Sequence, residues 1–340
     1  MAIIRATGLT KSFSSAVKEP GLTGAVKHLF KPEYREIRAV RDVNLSVEPG
    51  ELVAYVGPNG AGKSTTIKML TGILMPSGGE VSVNGFDPYR ERIENAKRIG
   101  VVFGQRTQLW WDIPVRESFT LIRDIYAMTE SRYRDNLAYL TEVLGLKEFV
   151  DMSARKLSLG QRMRADLAAS FLHDPPVVFL DEPTIGLDIA VRERIRAFLT
   201  QVNRDRGVTV MLTSHDLDDI RDVCKRLVII DRGTIIYDGA LGTLLDLCVK
   251  TRTMHLRVSS GGQALAEKLS GNPRLSVIAA DNSGLSVEFD RFALSARDVV
   301  TLAIESGDVT DFRIDEPEIE RVIKNVYEGK LDLGAGPGRP

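Results

Sequence analysis

ELVAYVGPNGAGKSTTIKMLTGIL, residues 51–74, decides the fold. ELVAYV (51–56) is a short apolar run of strand type, and the stretch from Thr65 places Ile67, Leu70 and Leu74 at helical spacing. Between them GPNGAGKSTT (57–66) matches G-x-x-x-x-G-K-[ST] through Gly57, Gly62, Lys63 and Ser64. Glycines let backbone N–H groups close around phosphate oxygens, and the start of a helix adds partial positive charge. The loop Gly57, Pro58, Asn59, Gly60, Ala61, Gly62, Lys63, Ser64 and Thr65 is therefore a candidate phosphate cradle. Lys63 is expected to reach the outer phosphates and Ser64 to ligate Mg2+.

A second buried-strand run, PPVVFLDEP (175–183), ends in two carboxylates. Val177, Val178, Phe179 and Leu180 read as a parallel strand covered on both faces. Functional residues of such sheets gather at the carboxyl ends of strands, which predicts Asp181 and Glu182 near the cradle. Asp181 suits a water-bridged Mg2+, and Glu182 is the candidate base for an attacking water.

Between these motifs lies LSLGQ (157–161), and TSH (213–215) ends a later strand-like run, VTVMLT (208–213). Ser158 can cap the helix QRMRADLAASFLHD, whose apolar positions include Met163, Leu167, Ala168, Phe171 and Leu172. In this order, over residues 1–240, the motifs resemble the ATP-binding subunits of ABC transporters. That resemblance implies a P-loop α/β fold with a helical subdomain, the cofactors ATP and Mg2+, and ATP hydrolysis. It also implies a second ATP-binding subunit, another copy in an expected homodimer or a close relative, because the family's signature segment caps nucleotide held by the partner. Ser158, Gly160 and Gln161 match that signature, whereas Leu159 stands where the usual spelling has glycine. Leucine there predicts ordinary negative φ, and the leucine is expected to tune the contact.

The same resemblance makes Gln105 the glutamine that binds Mg2+ or senses the γ-phosphate. It makes His215 the switch histidine and Asp188 the aspartate of the loop crossing the dimer seam. Phe13 is the candidate for stacking on adenine, with Tyr34 as its rival. His28, His173 and His255 lack such context and read as structural.

Residues 14–37 separate Phe13 from the expected strand AVRDV (39–43) and read as an insertion. Within it Leu22, Ala25, Val26, Leu29 and Phe30 share one helical face, which predicts a short helix ended by Pro32. Either packing on its own domain or contact with a membrane or permease would use that face. Trp110 and Trp111 follow Gln105 and suit either core packing or an interface.

After residue 250 the pattern changes. Strand-like TMHLRV (253–258) and a helical stretch at 263–269 come first. LSVIAA and LSVEF then flank DNSG, a hairpin signal. A helix over 293–307, the strand VTDFRI and a last helix PEIERVIKNVYEG follow. This order predicts a small ferredoxin-like α+β domain, weakly resembling the C-terminal domain of drug-exporter-type subunits. The expected organisation is an ATP-binding domain over 1–245, an accessory domain over 250–328 and a disordered tail over 329–340.

Composition bounds these readings. The 340 residues carry 45 Lys plus Arg against 46 Asp plus Glu, a net charge of −1. That is far from the basic excess of a nucleic-acid coat, and no nucleic-acid partner is expected. There is no apolar run of transmembrane length and no signal-peptide pattern at the N-terminus. Cys224 and Cys248 lack metal spacing and read as reduced core thiols. The LDEPTIGLD spelling (180–188) and the C-terminal domain favour an ABC-2-type exporter, and the insertion together with GQRTQLWWD (104–112) resembles its drug- or viologen-exporter branch, which implies drug-like cargo. Such a subunit would sit on the cytoplasmic side of the membrane against a permease. Importer or lipid/polysaccharide-exporter subunits are one alternative, and a soluble ABC protein of ribosomes or DNA is another.

Overall fold

The computed structural model describes residues 1–17, 33–104, 106–214, 216–248 and 250–315. The helix expected within the insertion, Gln105, His215, the last expected helix and the tail lie outside the described residues. The chain forms two compact units, Met1–Leu241 and a second that begins at Gly242.

The first unit is built on a six-stranded sheet. Its strands are β3 (Leu52–Val56), β5 (Ile99–Phe103), β6 (Val177–Asp181), β7 (Thr209–Thr213), β8 (Arg226–Asp231) and β9 (Thr234–Ala240), in the order β5-β6-β7-β3-β8-β9. All pairs are parallel except β8 with β9. Central strands with both faces covered need apolar residues at every position, and Val177–Leu180 and Val210–Leu212 are buried throughout. α1 (Lys63–Leu70) leaves the end of β3 and packs Ile67, Met69 and Leu70 against Tyr55, Phe179 and Met211. Fully burying side chains of this size stabilises by roughly 1.5–3 kcal/mol each, enough to outweigh local strain in the loop before the helix.

A second sheet, order β2-β1-β4, completes this core with β1 (Ile4–Val17), β2 (Glu33–Val47) and β4 (Gly78–Val83). Strand extends from both sides into the stretch 14–37 read as an insertion. The β1–β2 ladder continues through Ser14↔Glu36 to Val17↔Glu33, so both ends of that stretch are strand.

Between β5 and β6 lie α3 (Val115–Ile125), α4 (Glu130–Leu144) and α5 (Leu159–Phe171), preceded by the short α2 (Arg92–Ala96). α4 ends at Gly145 with φ 63, and its last carbonyls have a partner from α5. Arg164 Nη1 donates to Leu144 O at 2.9 Å and to Gly145 O at 3.0 Å. α6 (Ile189–Arg206) follows β6, with Phe198 edge-on to Phe171 at 5.0 Å between centroids. The short α7 (Leu217–Val223) follows β7.

At the unit boundary stands α8 (Leu241–Cys248). The second unit then runs β10 (Thr251–Val258), α9 (Gly262–Ser270), β11 (Leu275–Ala280), β12 (Gly284–Asp290), α10 (Ala296–Ser306) and β13 (Val309–Ile314). Its antiparallel sheet has the order β11-β12-β10-β13, the ferredoxin-like arrangement. Met254, Leu256, Val287 and Phe289 pack there with Leu265, Leu269, Val299 and Ala303 from the two helices. Asp281 Oδ1 accepts from the backbone N–H groups of Ser283 and Gly284 and so closes the expected hairpin.

Candidate functional site

The loop between β3 and α1 is shaped by its glycines. Gly60 and Gly62 adopt φ 80 and 112, values that side-chain-bearing residues rarely take. A Cβ on Gly57 would lie 2.3 Å from Ile230 O, and one on Gly62 would lie 2.6 Å from Ala39 O. Only bare backbone fits between β2 and β8 at these two points. Lys63, the first residue of α1, is 6% exposed. Its Nζ donates to Gly57 O at 2.6 Å and Pro58 O at 3.3 Å, so the ammonium sits inside the loop. Burial lowers its proton affinity, and the Glu182 and Asp181 carboxylates act against that shift. These groups therefore share one electrostatic neighbourhood, although β7 lies between β6 and β3 in the sheet.

Three strand ends converge there. Phe103 of β5 and Thr213 of β7 flank Asp181 of β6 in register. Thr213 Oγ1 donates to Asp181 Oδ1 at 2.7 Å and accepts from Glu182 N at 3.0 Å. Glu182 N also reaches Thr213 O at 3.1 Å. Glu182 itself has φ 55, an uncommon conformation for a residue with a side chain. Ser64 and Asp181 offer a hydroxyl and a carboxylate, the oxygen ligands a small hard cation prefers. Among the described residues no group of three or more His, Cys, Asp or Glu could hold a metal.

Gln105 and His215 fall outside the described residues, but their neighbours are placed. Gly104 N donates to Asp181 O at 2.8 Å. Asp166 of α5 accepts from Thr107 Oγ1 and Gln108 N, both at 2.9 Å, and thus ties down the segment after Gln105. Its carboxyl is pushed up to about 6 by burial, against the pull of those donors and Arg162. Sequence reading missed this tie, although an aspartate on an otherwise apolar helix face was a visible signal.

Phe13 pairs with Ile37, close to the Ala39–Val40 stretch that lies against Gly62. Tyr34 pairs with Ala16 further out along the same ladder. Register therefore places Phe13 nearer the glycine loop.

Ser158 caps α5 as expected, and the cap is reciprocal. Its Oγ accepts from Gln161 N at 3.2 Å, while Gln161 Oε1 accepts from Ser158 N at 2.9 Å. The S-x-x-Q spacing announced that box. Leu159 is absent from the residues with positive φ, in line with its ordinary helical conformation. A Cβ on Gly160 would meet Val191 Cγ2 at 3.0 Å, so glycine here allows α5 to approach α6. Asp188 caps α6 through Val191 N at 2.9 Å.

His173 behaves as a core residue: its Nε2 lies 3.1 Å from Ile99 O, its ring stacks on Tyr126, and burial pushes it down to about 4. His255, read from the sequence as structural, sits in a polar chain of the second unit. Its Nδ1 lies 2.8 Å from Ser286 Oγ and its Nε2 lies 2.8 Å from Asp315 Oδ2, a chain across β12, β10 and the end of β13. Cross-strand register, invisible in the sequence, brings the three together. Trp110 and Trp111 are partly exposed, and Arg162 lies over the Trp111 ring at 4.6 Å.

The ABC transporter family model matches residues 40–185. The ABC transporter ATP-binding protein NatA of Bacillus subtilis is 33% identical over 64% of this chain and 88% of its own length. The linearmycin resistance ATP-binding protein LnrL of the same organism is 28% identical and covers 87% of this chain and 96% of its own. Among solved structures, an ATP-binding cassette captured as a dimer after hydrolysis, with ADP and Pi, matches with a TM-score of 0.58. It is 26% identical over 70% of this chain and 98% of its own. No described helix is long and apolar enough to cross a membrane.

Proposed function

This chain belongs to the ABC transporter ATP-binding proteins and is an ATPase of that family, and we propose that it powers an ABC-2-type exporter as one of two identical subunits. The exporter reading draws on LnrL, which is similar across both units and is named for resistance to linearmycin. The paired arrangement draws on the dimeric cassette with ADP and Pi. The subunit would lie on the cytoplasmic side of the membrane against a separate permease.

The observation that carries the mechanism is the convergence of Lys63, Asp181 and Glu182 around the glycine loop. Bound Mg·ATP would supply the transferable phosphoryl group. Backbone N–H groups of the 57–62 loop and the start of α1 would bind its phosphates, and Lys63 would turn its ammonium toward the outer oxygens. Ser64 and Asp181 would hold the cation. Glu182 would orient the attacking water and accept its proton, with His215 and Gln105 completing the shell around it. Phe13 would stack on the base. Ser158, Gly160 and Gln161 of one copy would close over the loop of the other, with Asp188 at the seam, so that hydrolysis reopens the pair and moves the permease.

The test uses the full chain carrying Glu182→Gln, tagged and expressed in its native cell. Membranes are solubilised with detergent and Mg·ATP, and the co-purifying proteins are identified. A polytopic membrane protein in near-stoichiometric amount is expected. Ribosomal or DNA-repair proteins without a membrane partner would overturn the transporter assignment.

A further inference from the structure

Asp219 of α7 is 1% exposed, yet no motif of the nucleotide site contains it. Its two oxygens are fully engaged. Oδ1 accepts from Arg196 Nε of α6 at 2.8 Å, an ion pair that balances the buried charge. Oδ2 accepts from Thr184 Oγ1 at 2.5 Å and from Ser214 Oγ at 3.2 Å. Thr184 and Ser214 are themselves buried. One carboxylate thus ties the turn after Glu182 to the residue that precedes His215 in the sequence.

The position of Thr184 gives that tie a consequence. Glu182 holds a left-handed backbone, which persists only where its surroundings impose it. Upstream, Glu182 N is pinned to Thr213 Oγ1 and O. Downstream, Leu187 N donates to Thr184 O at 3.2 Å and Arg192 Nε donates to Leu187 O at 3.0 Å. The Thr184–Asp219 bond anchors this turn to α7. Removing it takes away the side-chain tie to α7 while leaving the cradle, the upstream pin and the backbone bonds of the turn in place.

We propose that Asp219 is a positioning residue for hydrolysis, which fixes the backbone of Glu182 through Thr184 and coordinates it with the strand end at Ser214. The inference rests on the reading of Glu182 as the group that handles the water. It predicts a loss in the chemical step and not in nucleotide binding, because neither Asp219 nor Thr184 belongs to the phosphate loop. Misplacing a catalytic group by about 1 Å can cost on the order of a hundredfold in rate, so a loosened turn should be readily visible.

Asp219→Ala would leave Arg196 without its buried partner and could prevent folding. Thr184→Val removes only a hydroxyl at nearly constant volume, and Thr184→Ser restores it. Steady-state ATP hydrolysis by the full chain is measured for wild type, T184V, T184S and E182Q, with melting temperatures alongside. The expected result is a kcat for T184V lowered about tenfold or more, a KM for ATP within about twofold of wild type, and recovery in T184S. A T184V kcat within about twofold of wild type overturns the inference, as does a KM that rises in step with any loss or a melting temperature below the assay range. Wild-type turnover with a stalled E182Q and an unaffected T184V leaves the proposed function standing and removes only this inference. Wild-type-like turnover in E182Q removes both.

Discussion

Leu159 leans over Gly186: its Cδ2 lies 3.4 Å from the place a Cβ on that glycine would occupy. Gly186 has φ 74 and belongs to the turn between Glu182 and Asp188. The leucine at the glycine position of the signature therefore lies beside a turn of its own chain, where the missing Cβ leaves room for it. It is 41% exposed, as are Ile185 and Ile189 nearby in similar or greater measure, at 44% and 71%.

Leu159→Gly should take that side chain away from the turn while leaving the capping box of Ser158 and Gln161. Loss of half-exposed apolar packing of about 1 kcal/mol corresponds to roughly a fivefold change in rate. ATP turnover is expected to fall by about that factor, with only a small drop in melting temperature. Unchanged turnover and unchanged nucleotide-driven pairing would show that the leucine is merely tolerated.

Asp166 gives a pH-dependent term of definite sign. Its carboxyl sits at about 6 in the folded chain, above its unfolded value, so the folded state binds more protons between the two. This group therefore favours the fold most at low pH, and its contribution is lost as pH rises through about 6. Asp166→Asn keeps an oxygen for Thr107 and Gln108 and removes the buried charge. Denaturation at pH 5 and pH 7.5 should show the variant gaining on wild type at the higher pH by on the order of 1–2 kcal/mol. An equal difference at both pH values would contradict the assignment.

The glycine loop is graded in its tolerance. Gly57→Ala places a carbon against Ile230 O, where backbone must move, and should abolish binding of a fluorescent ATP analogue and lower stability. Gly60→Ala meets open space and incurs only the strain of φ 80, about 1 kcal/mol. It should keep the fold. Equal melting temperatures for the two variants would refute this ranking.

Cys224 is buried, and burial pushes its thiol up to about 12. In a Cys248→Ser background, iodoacetamide at pH 8 should leave the folded chain unlabelled and modify it only in denaturant. Rapid labelling of folded protein would contradict that burial.

Much of this architecture was legible because it is local. The run ELVAYV followed by glycines, Lys63 and a helical pattern maps directly onto β3, the loop and α1. The strand–helix alternation after residue 250 translates into the ferredoxin-like order, and S-x-x-Q into a reciprocal cap. What escaped depends on partners distant in sequence. Asp166 reaches Thr107 and Gln108, and Asp219 gathers Thr184, Arg196 and Ser214, through folding of β5, β6 and β7 side by side. Periodicity can mark a polar residue on a buried face, as at Asp166, but it does not name the distant partners. The ends of 14–37 were missed for a related reason: strand pairing across a long intervening segment leaves no alternation strong enough to mark it.

The central claim is that Glu182 drives hydrolysis of ATP held by the 57–65 loop. The most direct measurement is phosphate release by the purified full chain in Mg·ATP, wild type beside Glu182→Gln, with bound nucleotide recovered from each. Steady release by wild type is expected, and at least a hundredfold less by the variant, on the order of losing a catalytic base, with intact ATP retained on the protein. Release at the wild-type rate by Glu182→Gln, or none from wild type, would contradict it.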